Sequence, residues 1–398
     1  MLTRPGRLVL AAYTHFGARG LKGTEMYYFV REAWKRGDLR QVIAISKGRC
    51  QYEFDPQLVD TLPGESRLIS GLSKLKEKVW SGFPSRWLGE KIFDRYAASR
   101  LAGPAGMLIT TPRLVETARK AKALGYKTCL YGSLCDPRYF LHQLQIEQEA
   151  LGLKGAKQEK GRSLGLARFA AHVESSDYII TISDFARETY VAQGFPSERI
   201  FVAPLGVDLR RFPPTPAPAN GRITYLFVAH LTGTTGILKG LPYLLQAWSE
   251  LDLENAQLLV CGKISQELQE LIQRYVTNLR NVEFTGLVNN PEAYYQKASV
   301  FIFPTIAEGF GKVVLEAMAS GRPVIATSVP SPVIREGIDG FYIPPREVKA
   351  LKDKMLYFYH NREQITKMGT TASEQARRFT WERFSQQIAD IVAEVAAA

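Results

Sequence analysis

Short β-rich runs alternate with amphipathic helical stretches along most of this 398-residue chain. Strand-like runs cover residues 8–13, 42–46, 107–110, 128–131, 178–181 and 200–203, then 223–229, 257–261, 282–285, 300–304, 323–326 and 340–343. Stretches with helical periodicity stand between most of these runs. Because strand–helix–strand units join parallel strands through right-handed crossovers, the alternation predicts an α/β fold with parallel sheets.

A proline-rich segment divides this pattern into two halves. Four prolines fall within residues 212–221, and proline can continue neither a helix nor a central strand. A chain of this length suits two domains. We therefore predict two doubly wound parallel-sheet domains, with a ligand cleft between them at the carboxyl ends of their strands.

Positive charge is concentrated in the first half. Residues 1–210 hold 32 basic and 21 acidic residues, a net charge of +11, whereas residues 211–398 hold 19 and 18, a net charge of +1. An uneven distribution of charge of this kind favours an anionic partner, which could be nucleic acid, an anionic membrane surface or an acidic polymer. The alternative is that the positive charge only improves solubility. No nucleic-acid reader motif is present, so we expect no nucleic-acid partner.

The basic excess is densest in residues 71–100, where seven basic and three acidic residues are interleaved with Trp80, Phe83 and Trp87. This mixture is typical of interfacial helices on an anionic membrane, and also of an amphipathic helix packed on its own domain. No apolar run reaches the ~18–20 residues of a membrane-spanning helix. The four cysteines lie far apart without metal-ligand spacing, which favours a reducing compartment. We expect a cytoplasmic protein, with peripheral attachment to the inner face of the membrane as an open alternative.

Residues 301–321 contain the most informative motif, a strand followed by a glycine-flanked loop and a helix. Free N–H groups at the start of a helix suit an anion such as a diphosphate, and carboxylates accept hydrogen bonds from sugar hydroxyls. Glu308 in the loop and Glu316 in the helix therefore suggest a nucleotide-sugar site. The alternative is a solvated loop glutamate and a glutamate on a helix surface.

A second strand–loop–helix segment covers residues 225–249. Its loop ends in Lys239-Gly240, where lysine can meet a phosphate as a point charge. His230 follows the strand and can donate a hydrogen bond to the same group. The sequence has no G-x-G-x-x-G, Walker A or H-E-x-x-H motif, which disfavours a dinucleotide oxidoreductase, a P-loop ATPase and a zinc hydrolase.

Taken together, these motifs resemble the retaining family 4 glycosyltransferases. The stretch PTIAEGFGKVVLEAMASGRPVIAT carries that family's pair of glutamates, and the stretches SDYIITISDFARETYVAQGFPSERIFVAPLGVDLRRF and FVAHLTGTTGILKGLPYLLQAW are similar to two of its other segments. The resemblance implies a GT-B fold, in which two Rossmann-like domains face each other across a cleft. It implies an acceptor-binding domain over residues 1–210, rejoined by the C-terminal helix 380–398, and a nucleotide-sugar-binding domain over residues 211–379.

The resemblance also assigns roles to residues. Glu308 would be a catalytic residue that holds the donor-sugar hydroxyls, Glu316 would hold the ribose, and Lys239 with His230 would meet the diphosphate. The remaining donor contacts would come from the backbone at Gly309, Phe310, Gly311, Gly17 and Gly23. The resemblance implies no metal. It implies no cofactor either, since the UDP- or GDP-sugar donor is a substrate.

Two positions depart from the family pattern. The family often has arginine in place of His230, and histidine where this chain has Cys135-Asp136, so Asp136 is the second candidate catalytic residue. The implied activity is metal-independent transfer of a hexose, with retention, to a hydroxyl of an envelope polysaccharide or glycolipid. The alternative is a non-catalytic sugar-nucleotide-binding scaffold subunit of a glycan-assembly system.

Overall fold

The structure is a computed structural model that describes residues 7–16, 21–47, 53–64, 85–103, 106–153, 160–218, 221–231, 234–275, 279–329 and 333–397. Its strands form two sheets, and every strand pair that is described runs parallel. The predicted architecture of two parallel-sheet α/β domains is therefore confirmed.

The first sheet has seven strands in the order β3-β2-β1-β4-β5-β6-β7. They are β1 (Leu8–Phe16), β2 (Leu39–Lys47), β3 (Val59–Thr61), β4 (Met107–Thr110), β5 (Lys127–Gly132), β6 (Tyr178–Thr181) and β7 (Ile200–Val202). The helices around it are α1 (Leu21–Lys35), α2 (Ser85–Arg100), α3 (Val115–Ala123), α4 (Pro137–Ala150), α5 (Lys160–Glu174) and α6 (Asp184–Val191). The strand order reverses between β1 and β4, which is where ligands bind in such sheets.

The second sheet has six strands in the order β10-β9-β8-β11-β12-β13, which repeats the same winding. They are β8 (Ile223–Val228), β9 (Ala256–Cys261), β10 (Val282–Gly286), β11 (Val300–Phe303), β12 (Val324–Thr327) and β13 (Gly340–Ile343). The helices of this half are α7 (Leu241–Ser249), α8 (Gln266–Tyr275), α9 (Glu292–Lys297), α10 (Lys312–Ala319), α11 (Val348–His360) and α12 (Arg362–Ala376). A 3₁₀ helix (Thr234–Lys239) precedes α7.

The last helix, α13 (Trp381–Ala397), returns to the first half and packs on α1. Trp381 stacks on Tyr28 with ring centroids 5.3 Å apart, and Arg36 pairs with Asp390 at 2.6 Å. The chain crosses between the halves where Val207 bridges Thr380. The predicted domain limits at residues 210 and 379 stay predictions, although the strands of the two sheets lie on either side of residue 210.

Of the basic segment 71–100, the structure describes residues 85–100, which form helix α2. Phe93 is fully buried, and the buried carboxylate of Asp94 accepts hydrogen bonds from the N–H groups of Glu116 (2.9 Å) and Thr117 (2.8 Å) at the start of α3. One face of α2 therefore packs on its own domain. Residues 71–84, with Lys74, Lys76 and Lys78, lie outside the described residues. Among the helices that are described, none combines the length and apolar character needed to cross a membrane.

Candidate functional site

The loop between β11 and α10 is tied to the loop that precedes α7. Leu238 accepts hydrogen bonds from the Ile306 N–H (2.8 Å) and from the Thr305 hydroxyl (2.9 Å). Gly240 adopts φ +76°, and a Cβ there would lie 1.9 Å from the carbonyl oxygen of Pro304. Only glycine fits such a close approach in the left-handed region. The two predicted motifs therefore meet at the carboxyl ends of β8 and β11.

Lys239 and Glu308 form an ion pair at this meeting point. Their side chains are 22% and 15% exposed, so both charged groups are largely buried. The second carboxylate oxygen of Glu308 accepts a hydrogen bond from the Gly309 N–H at 3.1 Å. The solvated-loop alternative for Glu308 is therefore wrong, because its carboxylate is paired with a cation and mostly buried.

The same loop touches the first half of the chain. The Ser183 hydroxyl donates a hydrogen bond to the Gly309 carbonyl at 2.5 Å, while its oxygen caps α6 by accepting from the Ala186 N–H at 3.1 Å. A Cβ on Gly309 would lie 2.4 Å from the carbonyl oxygen of Ser133, which follows β5. Glu308 therefore lies at the junction between the two halves, with the loop after β5 on the opposite side.

Glu316 is buried on α10 rather than exposed on a helix surface. It accepts a hydrogen bond from the Tyr295 hydroxyl at 3.0 Å and pairs with Lys312 at 3.3 Å. Burial, and secondarily the negative charge of Glu316, raises the pKa of Tyr295 well above its usual value, so the phenol stays a donor. The described contacts of Glu316 are with these two residues, not with Lys239 or Glu308.

Asp136 is engaged in local structure. Its fully buried carboxylate caps α4 by accepting from the Arg138 N–H at 2.8 Å, and it binds the Arg138 guanidinium through Nε (3.0 Å) and Nη2 (2.9 Å). These contacts give Asp136 a capping role, and its catalytic role stays an untested prediction. Burial, with a smaller effect from Glu308, raises the pKa of the neighbouring Cys135 to about 12, so this thiol stays protonated.

The structure describes four of the remaining predicted donor residues. His230 is exposed just beyond β8, and Gly23 lies in the first turn of α1. Phe310 is buried, and Gly311 precedes α10 with φ +68°, which favours glycine. Gly17 lies outside the described residues.

Sequence reasoning missed Lys312, Tyr295 and Ser183 as neighbours of the site. Lys312 precedes Glu316 by four residues on one helix, so the spacing alone could have indicated their pairing. Tyr295 and Ser183 reach the site through tertiary contacts, for which the sequence carries no comparable signal. The described residues contain no group of three or more His, Cys, Asp or Glu side chains arranged to hold a metal ion.

A hydrolase-type G-x-S-x-G pattern also occurs, at residues 161–165. In a nucleophile elbow the serine sits on a sharp turn between a strand and a helix. Here the pattern lies inside α5 (Lys160–Glu174), so the structural context of an elbow is lacking.

Residues 222–361, which include Lys239, Glu308 and Glu316, match the family model described as "Glycosyl transferases group 1". Residues 222–361 are therefore similar to the group 1 glycosyl transferases. The O-antigen chain mannosyltransferase B of Escherichia coli is 28% identical to this chain over 231 residues, which cover 54% of this chain and 60% of that protein. The match thus spans less than two thirds of the length of that relative.

Solved structures resemble the fold over nearly the whole chain, well beyond residues 222–361. Sucrose-phosphate synthase from Thermosynechococcus elongatus superposes with a TM-score of 0.67 at 18% identity, covering 98% of this chain and 99% of that one. Anabaena HepE in complex with UDP superposes with a TM-score of 0.64 at 15% identity, covering 98% and 100%. At these identities the likeness is one of fold, and it confirms the predicted GT-B architecture.

Proposed function

We propose that this protein is a retaining glycosyltransferase that moves a hexose from a UDP- or GDP-sugar to a hydroxyl of a glycan acceptor, without a metal ion. One observation carries the proposal: the Lys239–Glu308 pair lies where the two halves meet, and the loop of Glu308 contacts Ser133 and Ser183 of the other half. The acceptor would approach from residues 1–210, and the donor would lie on residues 211–379.

The charges at the junction suit a nucleotide sugar. A donor that enters between Lys239 and Glu308 exchanges their ion pair for a phosphate oxygen on the ammonium and sugar hydroxyls on the carboxylate. Backbone N–H groups of Gly311 and Lys312 at the start of α10 supply further donors for the diphosphate. Glu316 is available for the ribose, beside Lys312 and Tyr295.

In the proposed reaction the bond between the anomeric carbon and the phosphate oxygen breaks, and the acceptor oxygen bonds to that carbon on the same face. The acceptor proton passes to the departing phosphate oxygen, so the nucleoside diphosphate leaves protonated. Orientation between the halves and stabilisation of the leaving charge supply the acceleration. The Cys135 thiol is buried, and we assign it no role as a nucleophile.

The names of the relatives support the choice of substrates. The Escherichia coli relative is named an O-antigen chain mannosyltransferase, and the Anabaena protein was solved in complex with UDP. We infer an acceptor in an envelope polysaccharide or glycolipid, and a uracil or guanine nucleotide on the donor.

Incubation of the purified protein with UDP-, GDP- and ADP-sugars should release the nucleoside diphosphate from one donor class, faster when a glycan acceptor is present. The measurement is coupled detection of the released nucleotide. Binding without release, across all donors and acceptors, would instead support the non-catalytic scaffold subunit.

We also propose that the protein is cytoplasmic and binds the inner face of the membrane through residues 71–100. Replacing Lys74, Lys76 and Lys78 by glutamine should weaken co-flotation with anionic liposomes about 10-fold or more, since each basic residue contributes about 1 kcal/mol at such a surface. A matched control replaces three exposed lysines of the second half, Lys297, Lys349 and Lys367. Equal flotation of both variants and the wild-type protein would refute the membrane proposal.

A further inference from the structure

A fully buried carboxylate connects α4 of the first half to two residues of the second half. Glu147 accepts a hydrogen bond from Arg346 Nε at 2.6 Å and another from the Tyr243 hydroxyl at 2.9 Å. The other end of the Arg346 guanidinium donates to the side chain of Gln143, also on α4, at 2.7 Å. We name the four residues Gln143, Glu147, Tyr243 and Arg346 the clasp.

The clasp is specific in its geometry. A buried carboxylate is unfavourable unless it is paired and hydrogen-bonded, and here both oxygens of Glu147 have partners from the opposite half. Arg346 has φ +71°, a left-handed conformation that is costly for arginine and that its contacts hold in place. Burial, and then the charge of Glu147, raises the pKa of Tyr243 above its usual value, so the phenol remains a donor.

The clasp lies beside the segment that presents Lys239. Tyr243 is on the first turn of α7, which begins at Leu241, two residues after Lys239. Helix α4 also packs directly on the 3₁₀ helix that ends at Lys239. This segment is therefore held on one side by the first half and on the other by the hydrogen bonds from Thr305 and Ile306 to Leu238.

We propose that Glu147 is a positioning residue: through Tyr243 and Arg346 it holds the 3₁₀ helix so that Lys239 stays opposite Glu308. The carboxylate belongs to the acceptor half, whereas Lys239 belongs to the donor half. Glu147 thus couples the separation of the two halves to the position of the cation that meets the diphosphate. This inference rests on the proposed function only in its last step, the contact of Lys239 with a diphosphate.

Hydrogen–deuterium exchange tests the positioning without any ligand. Glu147→Ala should speed exchange of the amides of residues 237–243 about 10-fold or more, because it frees the segment on one side. Asp94→Ala is the matched control, since Asp94 is an equally buried carboxylate that pairs with Arg168 within the first half. It should lower the melting temperature but leave exchange in residues 237–243 unchanged.

A double-mutant cycle with UDP as the probe tests the connection to Lys239. If Glu147 acts through Lys239, Glu147→Ala should weaken UDP binding in the wild-type background but by less than about 2-fold in the Lys239→Ala background. The loss of melting temperature from Glu147→Ala should be the same in both backgrounds. Should Glu147→Ala fail to fold, Tyr243→Phe removes only one hydroxyl and completes the same cycle.

Unchanged exchange in residues 237–243, or losses of UDP affinity that multiply, would overturn the inference. Faster exchange together with a non-additive cycle supports it. If the wild-type protein binds none of UDP, GDP and ADP, the proposed function fails, and the exchange experiment still decides whether the clasp holds the segment.

Discussion

Glu308→Ala should reduce turnover about 100-fold or more while the protein stays folded. The substitution removes the carboxylate that we propose holds the donor hydroxyls and leaves Lys239 without the carboxylate it pairs with, so the reacting centres would lose their alignment. Misplacement of reacting groups by about 1 Å can cost 10²-fold in rate. The measurement is steady-state nucleotide release with the donor that the wild-type protein accepts, together with a thermal unfolding curve.

Two further variants show whether this effect is specific to the site. Glu308→Gln keeps the shape and one acceptor oxygen and should lie between alanine and the wild type. Glu363→Ala, on an exposed position of α12, should leave turnover unchanged. Wild-type turnover in Glu308→Ala would contradict the role assigned to this carboxylate.

Lys239→Ala should lower kcat by about 10²–10³-fold, and should weaken the binding of nucleoside diphosphates as well. In the proposed reaction the ammonium would lie where charge develops on the departing phosphate, and groups that stabilise such charge typically contribute this much to the rate. Binding of UDP or GDP by calorimetry and the rate of nucleotide release would separate the two effects.

Arginine offers a conservative comparison at this position. Lys239→Arg keeps the positive charge but changes its shape, so it should recover affinity more fully than turnover. Lys297→Ala removes an exposed lysine of the same half and should change neither quantity. Loss of affinity with an unaltered kcat would argue that Lys239 binds the ground state and the transition state equally.

Most of the fold could be predicted from the sequence, because strands buried in a parallel sheet read as short apolar runs between helical periods. The predicted runs at 107–110 and 178–181 coincide with β4 and β6. The sequence reading omitted β3 and α9, which have three and six residues. Elements this short carry too few periods for a pattern to be distinguished from a loop.

The sequence at Asp136 carries the signal of a helix N-cap, which the prediction of a catalytic role did not take into account. Its successor is Pro137, and aspartate followed by proline is typical of an N-cap and the first position of a helix. That local rule predicts the observed capping of α4, whereas a resemblance to a distant family suggested a catalytic role. A carboxylate that binds its own helix and Arg138 has few lone pairs left for a substrate.

Residue type and local spacing alone determined the two alternating halves and the glycine-containing loop before α10. They also placed Glu308, Lys312 and Glu316 in or beside that loop. These features depend on contacts between near neighbours in the chain, which a pattern can reveal. Only the tertiary structure decided that Lys239 pairs with Glu308 and that Gly309 contacts Ser133 and Ser183. It also decided that Glu147 accepts hydrogen bonds from Tyr243 and Arg346. Those partners lie far apart in sequence. Lys239 and Glu308 meet because β8 and β11 are neighbours in one sheet, whereas the other partners meet because the two sheets pack with their loops facing each other.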